Sequence, residues 1–122
     1  MSVSIIGGAV TASNPLTTNA QTGTTYTFVL TDANNTLVEL NNASAITATI
    51  PLNSSVAFPI GSQISLLQTG AGQVSVAVAS GVTLNVSPSA GTNAGKLRGQ
   101  WSFATLIKRG TDTWVLVGDV TA

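Results

Sequence analysis

Residues 45–51 read Ala-Ile-Thr-Ala-Thr-Ile-Pro. Ile46, Ala48 and Ile50 fall on one side of an extended chain, and Thr47 and Thr49 on the other. That is the period-two pattern of a half-buried strand. Pro51 closes it, because proline has no N–H to give to a ladder. The same grammar continues in both directions. Upstream, Thr36–Leu40 lies between an Asp32-Ala33-Asn34-Asn35 turn and Asn41-Asn42, and Thr25–Thr31 sets Tyr26, Phe28 and Leu30 on one face. Downstream, Val56–Ile60 is a short apolar stretch broken by Pro59. Gln63–Gln68 ends at Gly70-Ala71-Gly72, Gln73–Ala79 aligns Val74, Val76 and Val78, and Ser80-Gly81 leads into Val82–Val86.

Residues 87–95 (SPSAGTNAG) have no apolar anchor larger than Ala and read as a loop. Leu97–Lys108 reads as a long strand or a bent pair, turned back by Arg109–Asp112 into Thr113–Val117. Trp114–Val117 is apolar on both faces, which calls for a strand covered on both sides, one side by another subunit if not by its own fold. At the other end, Ser2–Ile6 is a short strand that Gly7-Gly8 lets bend. The pattern predicts nine or ten short strands and no helix. The expected fold is all-β, a single-domain antiparallel β-sandwich (jelly-roll-like) or a partly closed barrel. Residues 1–22 read as an N-terminal arm or edge strand, and residues 23–122 as the sandwich.

Composition narrows the chemistry. The chain has 122 residues, with no Cys and no His. Disulfides, thiolate or imidazole metal sites, and Ser-His-Asp or Cys-His catalysis are therefore absent. Four acids balance four bases, and charged residues are 7% of the chain, against about 25% in typical domains. So few cations make a poor nucleic-acid binder. No run approaches the ~20 apolar residues of a membrane-spanning helix, and no signal peptide is visible. Zero net charge with a positive mean hydropathy is the balance of a surface built to lie against another surface. The four Asn-x-Ser/Thr matches are what chance gives in a chain so rich in these residues.

Several chemical motifs fall short. Gly91–Lys96 (GTNAGK) lacks the spacing and the Ser/Thr of a phosphate loop. Arg109-Gly110-Thr111-Asp112 is a hairpin turn. Asp32, Glu39, Asp112 and Asp119 show no spacing that marks a catalytic pair. No catalytic, metal or cofactor residue is expected. Trp101 and Trp114 could stack a glycan, but strand positions favour packing. The expected core or subunit seam is Trp101, Phe103, Trp114 and Leu116. The expected partner-docking residues are Val3, Ile5 and Ile6 of the arm, with Lys96 and Arg98. With Lys108 and Arg109 these two hold every cation in the chain, and the four are expected to share one edge.

From Asn42 onward the sequence resembles a small β module of virion proteins of tailed bacteriophages. The resemblance rests on Ile50-Pro51, Phe58-Pro59-Ile60-Gly61-Ser62 and Gln68-Thr69-Gly70-Ala71-Gly72-Gln73-Val74. Ala104–Lys108 and Trp114–Asp119 extend it, to about two thirds of the chain. It implies a non-enzymatic structural protein, homotrimeric by analogy, made in the host cytoplasm and located in the virion. The implied partners are the major capsid protein or another virion protein. A copy standing alone from its own Met suits a capsid decoration (cement) protein on the head surface. The alternative is a tail or head-fibre component that binds a host receptor or glycan.

Overall fold

The computed structural model describes residues 3–6, 9–12, 15–87 and 91–121. Two strands, β1 (Val3–Ile6) and β2 (Ala9–Ala12), pair antiparallel in a small sheet of their own. Then follow β3 (Thr17–Gln21), β4 (Thr25–Thr27), a single 3₁₀ turn (Leu30–Ala33), β5 (Thr36–Leu40), β6 (Ile46–Ile50), β7 (Gln63–Gln68) and β8 (Val74–Val78). The remainder is β9 (Thr83–Val86), β10 (Gly91–Thr92), β11 (Ala94–Leu97), β12 (Phe103–Gly110), β13 (Thr113–Gly118) and β14 (Val120–Thr121).

The strands form two mixed sheets packed face to face as a sandwich. One has seven strands in the order β10-β9-β13-β12-β7-β5-β3. The other has five, in the order β14-β11-β8-β6-β4. No barrel closes. From β3 to β8 the chain alternates between the sheets, so each strand lies parallel to the one two places earlier. Thr17 pairs with Thr36, Leu37 with Ser65, Thr25 with Thr47 and Ile46 with Val74. This half is a flattened coil. Antiparallel pairing is confined to β1–β2 and to the later strands, with β12 lying between β7 and β13. β13 then returns to parallel pairing with β9.

The expected alternation places the core. Ile46, Ala48 and Ile50 are buried, while Thr47 and Thr49 face outward. Across the larger sheet, Ile64, Leu106, Leu116 and Val86 form one continuous buried row. Phe58 packs edge-on against Trp114, and Phe28 edge-on against Tyr26. Two glycines permit close approach of backbones and layers. A Cβ on Gly72 would lie 1.9 Å from the Ser44 carbonyl oxygen, where the turn after β7 passes under residues 42–44. A Cβ on Gly95 would meet the Val86 and Leu116 side chains of the opposite sheet at about 3 Å.

Two local expectations change. Leu30 does not continue the Tyr26–Phe28 face, because the backbone winds into the 3₁₀ turn and leaves Leu30 exposed. The 87–95 stretch is not all loop: small residues let β10 and β11 form on either side of Asn93, which adopts φ +62°. Of the two expectations for residues 97–108, the bent pair holds: the chain divides at a corner between β11 and β12 that carries it from one sheet to the other. The Gly7-Gly8 bend and residues 88–90 lie outside the described residues.

Candidate docking surface

The corner between β11 and β12 is pinned from several sides. Arg98 Nη2 and Nε reach Asp119 Oδ1 at 2.7 and 2.8 Å. Ser102 Oγ donates to Asp119 Oδ2 at 2.7 Å and accepts from the Gly99 N–H at 3.0 Å. The Trp101 N–H donates to the Gln68 carbonyl at 2.6 Å, and Gln100 Nε2 to the Thr69 carbonyl at 3.1 Å. The Ser102 hydroxyl first, and the Arg98 guanidinium second, hold the Asp119 carboxyl below the usual carboxylate range. These ties fix Trp101 in left-handed backbone, φ +72°. That conformation costs a bulky L-residue about 1–2 kcal/mol. Its side chain is 65% exposed.

The tryptophan therefore stands outside the fold on a rigid corner. Phe103, 46% exposed, opens β12 beside it. Phe103 pairs with Leu67, and from there the outward face of the seven-stranded sheet runs through Thr105, Val117, Ile107 and Val115. That face is almost uncharged. Glu39 on β5 and Arg109 at the far end of β12 are the ionisable side chains it carries.

The expected residues divide as follows. Trp114 and Leu116 are buried core. Trp101 and Phe103 are surface residues, so core packing does not account for them. Lys96 and Arg98 are exposed at the Trp101 end. Val3, Ile5 and Ile6 lie on β1 and pair with Ala12, Val10 and Ala9 of β2. The expectation that four cations share one edge is corrected. Lys108 lies five residues along β12 from Phe103, about 17 Å away, and its side chain is 2% exposed. Its ammonium donates to Asn53 Oδ1 at 2.6 Å and to the Phe58 carbonyl at 2.7 Å, over the Trp114 ring. It fastens the 51–60 segment to the sheet.

One carboxylate cluster was not foreseen. Buried Asp32 accepts from Tyr26 OH at 2.5 Å, Asn19 Nδ2 at 2.9 Å and the Val29 N–H at 3.0 Å. All three donors belong to β3, β4 and the start of the 3₁₀ turn, so the carboxylate binds those elements together. Burial, then the Asp32 carboxylate, pushes the Tyr26 hydroxyl well above the ordinary tyrosine range. At the end opposite Trp101, an open cleft of about 420 Å³ is lined by Leu30, Ala33, Ala57 and Pro59, with no ionisable side chain. Among the described residues, no group of three acidic, His or Cys side chains is placed to hold a metal ion. A scan of protein-family models finds no match to this chain, and a search of curated proteins finds none.

Proposed function

We propose that the chain is a non-enzymatic structural subunit of a tailed-bacteriophage virion. In this reading it is a decoration protein that binds the assembled head and braces it. The observation that carries the reading is Trp101, held exposed by a hydrogen-bonded corner beside exposed Phe103 and continuous with a nearly uncharged sheet face. Exposed aromatic residues in such settings are interface anchors. The resemblance over residues 42–119 supplies the particle, and a homotrimer by analogy. Many copies, each binding weakly to the shell protein, would together resist internal pressure.

Immunogold labelling of purified particles tests this directly. Label over the heads is expected, and Trp101→Ala should reduce occupancy without unfolding the subunit. Label at the tail tip would instead support a second reading, a receptor- or glycan-binding module. That reading is favoured by the same exposed indole, with Gln100 and Arg98 beside it as groups able to bind hydroxyls. Glycan-array binding lost on Trp101→Ala would establish it, and no binding to any glycan would remove it.

A further inference from the structure

We infer that the β1–β2 hairpin of one copy adds to the open β3 edge of a second copy, extending that copy's seven-stranded sheet. The inference builds on the reading of the chain as a self-associating subunit, but its test needs no particle. β3 is the terminal strand, with β5 on one side only. The Thr17 N–H donates to the Asn35 carbonyl, and the Gln21 carbonyl accepts from Asn41. Strand residues alternate the side on which their N–H and C=O point. Thr18 and Ala20 therefore aim theirs away from β5, at the open edge.

That edge has none of the usual protection. Thr17–Gln21 carries no charge, no proline and no bulge, the features by which natural edges avoid pairing with other strands. The two edges at the other side of the molecule, β10 and β14, are only two residues long. The complementary feature is the hairpin. Among the described residues, β1 (VSII) and β2 (AVTA) pair only with each other. A lone two-stranded hairpin is marginal in water and gains stability from a third strand. Its strands are four residues long and uncharged, matched to the five of β3.

The hairpin is poorly placed to fold back on its own β3. Asn35 Nδ2 holds the Pro15 carbonyl at 3.0 Å, so the chain runs on past Thr17 beside Asn35. Pro15, just ahead of β3, has no N–H to give to a strand returning along that edge. Each copy thus offers one hairpin and one open edge, the two halves of a head-to-tail contact between copies.

The mass of the purified full-length chain in solution, measured by light scattering, is the test. An oligomer is expected. Ala20→Pro removes an outward N–H and leaves the β5 ladder intact; a monomer with an unchanged circular dichroism spectrum is expected. If that variant unfolds, deletion of residues 1–14 decides, because the core cluster runs from Tyr26 to Val120 and the truncated chain should be a folded monomer. A monomeric full-length chain would overturn the inference, as would a folded Ala20→Pro variant, or a truncated one, that keeps the oligomer. Either result leaves the particle labelling to be judged separately.

Discussion

The ammonium of Lys108 lies 2.7 Å from the carbonyl oxygen of Phe58, fifty residues earlier in the chain. That bond, with the one to Asn53 Oδ1, closes the 51–60 segment over the end of the core. Lys108→Met keeps the apolar stem but strands two acceptors, at about 1–3 kcal/mol for each buried group left unmade. Water entering at Asn53 will relieve part of this. The expected loss is about 2–3 kcal/mol, read as a lower denaturant midpoint. Arg109→Met, at the exposed neighbour, should change stability by less than about 0.5 kcal/mol.

The two tryptophans should respond in opposite senses. Trp114→Ala empties a buried site against Phe58 and should cost about 3–5 kcal/mol. Trp101→Gly removes a strained left-handed side chain and should raise stability by about 0.5–1 kcal/mol, while reducing particle occupancy. A stable variant that binds worse is the signature of strain kept for function. Denaturation midpoints and a co-sedimentation assay on the same samples measure both halves.

How far the sequence was legible follows from these residues. Ile46–Ile50 and Gln63–Gln68 announce themselves, because alternation reports burial on one face, and Thr113–Val117 does so as a short apolar run after a turn. Alternation is the same for parallel and antiparallel neighbours, so the coil from β3 to β8 was invisible. Lys108 reads as surface because its partners lie at Asn53 and Phe58, far away in sequence. Leu30 reads as strand because the Asp32 carboxylate that bends the chain acts through groups at Asn19 and Tyr26. Trp101 is the instructive case: an aromatic in a β-like run reads as core, and only the corner ties from Gln68 and Asp119 turn it outward.

Acid should loosen that corner. The Asp119 carboxyl titrates below its unfolded value of about 3.9, so the native state stays charged where the unfolded chain takes up a proton. Its contribution is therefore present above about pH 4 and is lost as pH falls through the lower, folded value. The stability gap between wild type and Asp119→Asn should narrow across that range. Denaturant titrations at a series of acid pH values would show it; a gap independent of pH would refute the assignment.

Alkali should act at the other end of the coil. Tyr26 titrates above its ordinary value near 10, so the folded state holds its proton where the unfolded chain releases it. Stability is then constant below about pH 10 and falls as pH rises above it. Tyr26→Phe should be less stable at neutral pH, with Asp32 short of one donor, yet should show a shallower alkaline decline. Thermal melts of both proteins between neutral pH and pH 11 compare the slopes.

The place of β13 in its sheet has a consequence for synthesis. β13 joins β9 to β12, so the β9–β10 pair has no route into the seven-stranded sheet until residues 113–118 exist. The parallel partners of the first half are likewise strands that no tight hairpin can bring together, and distant pairings form slowly, in milliseconds to seconds. A nascent chain should therefore stay protease-sensitive until residues 113–118 have left the ribosome, and gain its resistance only after β13 can pair with both β9 and β12.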